Sequence, residues 1–204
     1  MKSVTDAYTA RVEMRPAVFI DRDGTLTEEV GYVNHPARLR LLPRSAEAIR
    51  RLNRAGTAAV VVTNQAGIAR GYFSDAVMHA VNGELSAQLE RAGARLDGLY
   101  VCPHHPTEGA APYRMLCDCR KPSPGLLLRA AEDLGLDLTR SIVVGDKPSD
   151  LEIAPKVGAR SVLVLTGYGL GEWEYRRDLF AVAPDHVADD LLDAVEWALK
   201  ARPA

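Results

Sequence analysis

Two aspartates separated by one residue follow the first apolar run of the chain. The run 17–20 ends at Asp21, and Asp23 and Gly24 come directly after it. Two carboxylates this close either repel each other or share a cation. With Mg²⁺ and a phosphate between them both can stay ionised, and one can then attack phosphorus while the other protonates the leaving oxygen. A surface turn of the Asp-x-Asp-Gly type is the alternative interpretation.

Further polar residues that suit phosphoryl transfer follow later apolar runs. Thr63 and Asn64 can donate hydrogen bonds to a phosphoryl oxygen, and Lys121 can offset its negative charge. Asp146 supplies another carboxylate for Mg²⁺, and Asp150 follows four residues later. Each of these residues also has a purely local interpretation. Thr63 and Asn64 could be a capping pair, Lys121 a solvated lysine, and Asp146 the N-cap of the following helix. The occurrence of all these motifs in this order favours phosphoryl transfer over the local alternatives.

All three cysteines of the chain fall within one short window. Cys102 is followed by His104 and His105, and Cys117 and Cys119 are separated by a single residue. Three thiolates and one imidazole form a Cys₃His set, a common tetrahedral zinc composition with no open position. The sequence therefore predicts a structural zinc site, with His104 or His105 as the nitrogen ligand. Free cysteines beside a surface histidine are the alternative.

Short apolar runs alternate with helical patterns along the chain. The runs predict strands at 17–20, 57–62, 96–101, 141–144 and 161–165. The spacing of apolar and capping residues predicts helices at 45–55, 74–93, 124–134, 149–157 and 188–201. The second helix has an apolar stripe, which consists of Val77, Val81, Leu85 and Leu89. This alternation predicts a parallel sheet covered by helices on both faces, with ligands at the carboxyl ends of its strands.

Composition and charge are those of an ordinary globular domain. The 204 residues carry a net charge of −2, with 47% hydrophobic and 25% charged residues. We therefore expect an N-terminal tail at 1–15 and one folded domain at 16–204. The absence of a basic excess argues against nucleic-acid binding. No apolar run approaches the roughly 18 residues of a membrane helix, and no secretory signal pattern is present, so a cytoplasmic protein is expected.

The four motifs, each after a predicted strand, resemble the signature of the haloacid dehalogenase (HAD) superfamily of phosphatases. That signature is Asp-x-Asp-x-Thr, then Ser or Thr, then Lys, then an acidic pair. The resemblance implies that Asp21 is the nucleophile and that Asp23 is the general acid and base. Thr63 and Lys121 would steady the phosphoryl group. Mg²⁺ would be held by the Asp21 carboxylate, the Asp23 backbone carbonyl and Asp146.

The same resemblance implies a doubly wound, Rossmann-like HAD fold with a minimal cap and a zinc-binding loop at 102–119. Within the superfamily, the two histidines after Cys102 and the Cys-x-Cys motif before Arg120 resemble the heptose-bisphosphate phosphatases. Histidinol-phosphate phosphatases have a similar but typically shorter zinc loop and are the alternative. The resemblance favours His104 as the zinc ligand. It implies that a monomer removes the C7 phosphate of a heptose 1,7-bisphosphate through an aspartyl-phosphate, in nucleotide-heptose synthesis.

Substrate contacts are also implied by this resemblance. The short chain leaves no room for a separate cap domain, so we expect short loops to bind the sugar. Arg120 would bind the distal phosphate, for which a guanidinium group is well suited. Arg70 is a further candidate, and a solvated arginine in a Gly-Ile-Ala-Arg-Gly loop is the alternative. The other residues expected to bind substrate are Glu29, Val30, Gly31, Tyr32, Asn64, Gln65, Ala66 and Lys147. The expected partner is a small sugar bisphosphate, with no nucleic acid and no membrane.

Overall fold

Six strands form one sheet in the computed structural model, which describes residues 14–201. The strands are β1 Ala17–Ile20, β2 Ala58–Asn64, β3 Gly98–Cys102, β4 Ile142–Gly145, β5 Arg160–Val164 and β6 His186–Ala188. Their order is β3-β2-β1-β4-β5-β6, and every neighbouring pair is parallel. The prediction of a doubly wound parallel sheet is confirmed.

Six α-helices connect or follow the strands. They are α1 Ser45–Arg54, α2 Asp75–Arg91, α3 Gly125–Leu134, α4 Pro148–Ile153, α5 Gly169–Arg176 and α6 Leu191–Lys200. Short 3-10 turns lie at Pro36–Arg38, Leu138–Arg140, Pro155–Val157 and Arg177–Leu179. Between residues 14 and 201, no helix is both long enough and apolar enough to cross a bilayer.

The structure differs from the predicted elements mainly in the C-terminal third. Neither α5 nor β6 was expected, and the predicted helix 188–201 is wrong at its start. Ala188 ends β6, and the side chain of Asp190 accepts a hydrogen bond from the Asp193 N–H at 3.0 Å and so caps α6. The predicted helix 149–157 is interrupted, because Pro155 has no N–H to continue α4.

Alternate side chains of β1 enter separate cores on the two faces of the sheet. Val18 and Ile20 pack with residues of α1, α2 and α6, whereas Ala17 and Phe19 pack with residues of α3 and α4. All four side chains are at most 1% exposed. Because β1 is covered on both faces and paired on both edges, the residue that follows it is held firmly in place.

The folded part includes Arg15, the last residue of the predicted tail. Its N–H donates to the Gly135 carbonyl at 3.2 Å, and its carbonyl accepts from the Asp137 N–H at 3.0 Å. Its guanidinium group forms an ion pair with Asp97 at 2.9 Å. Residues 1–13 of the predicted tail lie outside the described residues.

Candidate active site and metal cluster

The carboxyl ends of three central strands bring the predicted catalytic residues together. Asp21 follows β1, Thr63 lies near the end of β2, and Asp146 follows β4. A cavity of about 400 Å³ opens at this edge of the sheet. The predicted site residues that line it are Asp21, Asp23, Glu29, Gly31, Tyr32, Thr63, Asn64, Gln65, Ala66, Arg120, Lys121 and Lys147. Two others do not line it, since Asp146 is fully buried and Val30 is exposed at the surface.

Lys121 is buried between two carboxylates. Its Nζ atom lies 2.7 Å from Asp21 Oδ1 and 2.6 Å from Asp150 Oδ1, and it donates a hydrogen bond to the Val62 carbonyl at 2.9 Å. Burial alone would lower the pKa of Lys121, but the charges of Asp150 and Asp21 outweigh it, and the pKa is raised. Lys121 is therefore a fixed cation beside the Asp21 oxygen, where a phosphoryl group could be stabilised.

Asp146 has the features of a cation ligand. Its Oδ2 atom accepts a hydrogen bond from the Tyr168 N–H at 2.9 Å, whereas Oδ1 is buried without a hydrogen-bond partner and is 3.6 Å from the Lys147 ammonium. Oxygen atoms of Asp21, Asp146 and Asp150, which we call the aspartate group, lie within 4.8 Å of one another. Burial and the charge of Asp21 raise the pKa of Asp146 to about 7. A divalent cation fits this group, because it would occupy the free oxygen position and offset the repulsion.

Gly24 allows the loop after β1 to approach this group closely. A Cβ atom at Gly24 would lie 2.1 Å from Asp146 Oδ2, and its φ of +88° is one that other residues rarely adopt. The carboxylate of Asp23 is not part of the aspartate group. The Mg²⁺ contact that was predicted for Asp23 is through its backbone carbonyl oxygen and not through its carboxylate. The third carboxylate of the aspartate group comes from Asp150.

The Asp23 carboxylate is held by a buried arginine. Arg22 is 1% exposed and donates from Nε to Asp23 Oδ1 at 3.0 Å and from Nη2 to Asp23 Oδ2 at 2.8 Å. Its Nη1 atom donates to Asn82 Oδ1 on α2 at 3.0 Å. A bidentate pair of this kind fixes the orientation of the carboxylate. Sequence reasoning missed Arg22, although a cation between two aspartates directly after a buried strand is a signal that could have found it.

Both amide side chains at the end of β2 are engaged with the protein itself. Asn64 pairs with the backbone of Lys121, accepting its N–H at 3.0 Å and donating to its carbonyl at 3.1 Å. Gln65 Nε2 donates to Asp23 Oδ2 at 2.8 Å and to Thr63 Oγ1 at 2.9 Å. These contacts position the predicted catalytic residues, and they leave the hydroxyl hydrogen of Thr63 available to a ligand.

A second cluster is formed by Cys102, His104, Cys117 and Cys119. Cys119 Sγ lies 3.2 Å from Cys102 Sγ and 3.3 Å from both Cys117 Sγ and His104 Nδ1. The cysteines form no disulfide, and burial raises the pKa of the Cys102 thiol, so a bound cation is what would favour the thiolate. Tetrahedral zinc, with Zn–S bonds of about 2.3 Å, fits a group of this size. His104, and not His105, is the histidine of this group.

The chain is similar to known proteins along most of its length. The HAD-hydrolase-like family model matches residues 118–194. The D-glycero-D-manno-heptose-1,7-bisphosphate 7-phosphatase of Thermosynechococcus vestitus is 45% identical over 189 residues, which are 90% of this chain and 95% of that protein. The D-glycero-beta-D-manno-heptose-1,7-bisphosphate 7-phosphatase of Escherichia coli K12 is 44% identical over 74% of this chain and 80% of its own length. The crystal structure of D,D-heptose 1,7-bisphosphate phosphatase from B. bronchiseptica, complexed with magnesium and phosphate, gives a TM-score of 0.79 at 32% identity, covering 91% of this chain and 98% of that one.

The chain belongs to the heptose-bisphosphate phosphatase family of HAD-like hydrolases. In this member of the family, the loop 102–119, which we call the metal loop, leads directly into Arg120 and Lys121. Arg120 lines the cavity, and its Nη1 atom donates to the His104 carbonyl at 3.0 Å. The backbone of His104 therefore orients Arg120, the arginine that was predicted to bind the distal phosphate.

Two tyrosines, Tyr32 and Tyr168, also line the cavity. Lys147 Nζ lies 3.0 Å from Glu29 Oε2 and 4.8 Å from the centre of the Tyr168 ring. The rings of Tyr32 and Tyr72 meet edge to face, with their centres 4.7 Å apart. Sequence reasoning missed Tyr168, which lines the cavity and follows β5, so the rule of polar residues after strands could have identified it.

Proposed function

We propose that the protein is a Mg²⁺-dependent phosphatase that removes the C7 phosphate from D-glycero-D-manno-heptose 1,7-bisphosphate. The observation that carries this proposal is that Asp21 lies 2.7 Å from the buried ammonium group of Lys121 and within 4.8 Å of Asp146, one oxygen of which has no hydrogen-bond partner. Curated relatives that are 42–45% identical carry the name of this activity. A similar structure of that name contains magnesium and phosphate. The proposal includes a role in bacterial nucleotide-heptose synthesis, for the lipopolysaccharide core, which the heptose-bisphosphate activity named for these bacterial relatives supports.

In the proposed reaction, Asp21 attacks the phosphorus atom, and the bond from phosphorus to the sugar oxygen breaks as Asp23 gives that oxygen its proton. Water then attacks the aspartyl-phosphate and returns a proton to Asp23, so phosphate leaves and Asp21 is regenerated. Lys121 and Thr63 contact the phosphoryl oxygens in both steps. Mg²⁺, held by Asp21, Asp146 and the Asp23 carbonyl, would supply positive charge that offsets the charge of the phosphoryl group.

Substrate binding is assigned to the loops around the cavity. Arg120 binds the distal phosphate, because guanidinium groups form two parallel hydrogen bonds to phosphate. Glu29 and Tyr32 from the loop after β1 and Lys147 from the loop after β4 contact the sugar. Ala66 lines the cavity but contributes no hydroxyl group to it.

The metal cluster is assigned to zinc with a structural role, because all four positions of a tetrahedral site are filled by protein. Metal analysis of the purified protein should give about one zinc per chain and no loss of zinc when Mg²⁺ is removed. Thiolate ligands favour a reducing compartment, which supports a cytoplasmic enzyme. We also expect a monomer, which light scattering during gel filtration would test.

The activity is tested by incubating the protein with Mg²⁺ and the heptose bisphosphate. The expected result is release of one phosphate per sugar, loss of that release in Asp21→Asn, and normal release in the control Asp178→Asn, which changes an exposed aspartate on the surface. Faster release from histidinol phosphate would instead assign the protein to that activity. Unchanged release by Asp21→Asn would show that another group is the nucleophile.

A further inference from the structure

Arg70 lies in the loop after β2, lines the cavity and contacts two residues of the metal loop. Its Nη1 atom forms an ion pair with Glu108 of the metal loop. Its Nε atom is buried and has no hydrogen-bond partner. Its Nη2 atom lies 3.2 Å from Nε2 of His105. Its Nε atom therefore has no acceptor in the protein, and whether Nη2 has one depends on which nitrogen of His105 carries the hydrogen.

The contact between Arg70 and His105 brings two donors together. Nδ1 of His105 accepts the backbone N–H groups of Thr107 at 3.3 Å and Glu108 at 3.0 Å, and from these two contacts we assign the hydrogen of the neutral ring to Nε2. A guanidinium group has donors and no acceptor. The Nε2–H of the histidine and the Nη2–H of the arginine thus converge without an acceptor between them. An anionic oxygen bound by both groups would complete this arrangement.

The metal loop holds these groups in fixed positions against the loop after β2. A Cβ atom at Gly109 would lie 1.8 Å from the Ala69 carbonyl oxygen, so the two backbones are in direct contact. The Tyr113 hydroxyl donates a hydrogen bond to the carboxylate of Asp75 at the start of α2. His105 also pairs with Tyr113 through its backbone N–H at 3.0 Å. The geometry of the donor pair therefore depends on the folded metal loop.

The charges around the cavity indicate which anion suits this pair. Four cationic side chains line the cavity in the part of the chain that the structure describes, namely Arg70, Arg120, Lys121 and Lys147. Lys121 and Lys147 are already paired with carboxylates of the active site. Arg70 and Arg120 are both attached to the metal loop, and neither is paired with the aspartate group.

We propose that Arg70 and His105 form a second set of donors for the distal phosphate and that they give the enzyme its preference for a bisphosphate. This inference rests on the proposed function, because it assigns the second phosphate of that substrate to the edge of the same cavity at Arg70, next to His105, which is not itself a lining residue. The metal loop would then contribute to the preference for a bisphosphate through two arginines. It orients Arg120 through the His104 carbonyl, and it orients Arg70 through Glu108 and His105.

The test compares the heptose 1,7-bisphosphate with the heptose 7-phosphate, which lacks the distal phosphate. Arg70→Gln should raise KM for the bisphosphate about tenfold, the change that corresponds to about 1.4 kcal/mol. It should leave kcat and the KM for the monophosphate nearly unchanged. Arg70→Lys should recover part of the loss because it keeps the charge. Arg114→Gln, an exposed arginine on the same metal loop, should behave as the unchanged protein.

A second variant covers the case in which Arg70→Gln does not fold. His105→Asn keeps an acceptor near the position of Nδ1 and removes the Nε2 donor, so the metal loop keeps its local hydrogen bonds. It should also raise KM for the bisphosphate alone. Calorimetric titration in an Asp21→Asn background should show the same loss of bisphosphate affinity without turnover.

Two outcomes overturn the inference and are distinct from failure of the proposed function. If the variants keep the preference of the unchanged protein for the bisphosphate, Arg70 and His105 do not bind the distal phosphate. If KM rises equally for both substrates, the two residues have only a structural role. Failure of the proposed function would instead appear in the unchanged protein, as absence of turnover of the bisphosphate.

Discussion

The ion pair between Arg22 and Asp23 allows a quantitative test of the site in the absence of substrate. The guanidinium group is 1% exposed and the carboxylate 13% exposed, and two hydrogen bonds of 3.0 and 2.8 Å join them. Removing one partner of a buried pair costs about 3–5 kcal/mol, because a charge is left without compensation. Asparagine keeps one acceptor oxygen, so we expect Asp23→Asn to lower the free energy of unfolding by about 3 kcal/mol. For a chain of this length that is a fall in Tm of about 6–12 °C.

A double-mutant cycle measures the pair itself. The cycle combines Arg22→Met, Asp23→Asn and the double variant, with urea unfolding in Mg²⁺-free buffer so that metal binding does not contribute. The double variant should be less destabilised than the sum of the two single variants, by about 2 kcal/mol. Asp178→Asn, at an exposed position, should change the stability by less than about 0.5 kcal/mol. Additive single effects would refute the reasoning, since they would mean that the two charges do not stabilise each other.

Three further predictions concern other parts of the molecule. Gly24→Ala should lower turnover at least about 100-fold, because the added Cβ would lie 2.1 Å from an oxygen of the aspartate group. The control Gly171→Ala, where a Cβ has open space, should leave turnover unchanged. The two variants are compared by measuring activity as a function of Mg²⁺ concentration. Cys119→Ser should lower both zinc content and Tm, measured by metal analysis and calorimetry; an unchanged Tm would argue against a structural metal. Hydrogen bonds from arginines, Arg50 first, lower the pKa of Glu47 from 4.5 to about 2. The ionised Glu47 should therefore stabilise the folded protein above pH 4.5, and this contribution should disappear as the pH falls towards 2. The difference in unfolding free energy between the unchanged protein and Glu47→Gln should shrink over that range, as acid unfolding would show.

The parts of the site that lie directly after a strand could be predicted from the sequence. An apolar run identifies a buried strand, and the parallel arrangement then places its carboxyl end beside those of its neighbours. That reasoning brought Asp21, Thr63 and Asp146 to one edge of the sheet, where the structure places them. The cysteine spacing predicted which residues would lie together, since the structure gathers Cys102, His104, Cys117 and Cys119 into one group.

Contacts between distant side chains could not be predicted in this way. Asn82 interrupts the apolar face of α2, and its burial is explained only by Arg22, 60 residues earlier in the chain. The apolar face of α2 also differs from the predicted stripe, with Met78 buried and Val77 only partly buried. The short strand β6 has three residues, too few for a periodic pattern.

The position of β1 at the centre of the sheet has a consequence for the synthesis of the protein. Val18 is paired with Ile142, so one edge of β1 has no partner until more than two thirds of the chain has been made. An unpaired apolar strand edge promotes association with other chains. Nascent chains that end before Ile142 should therefore bind chaperones or a hydrophobic dye, and chains that extend beyond β6 should not. The aspartate group is completed only with Asp146 and Asp150, so a chain that ends before these residues cannot assemble it.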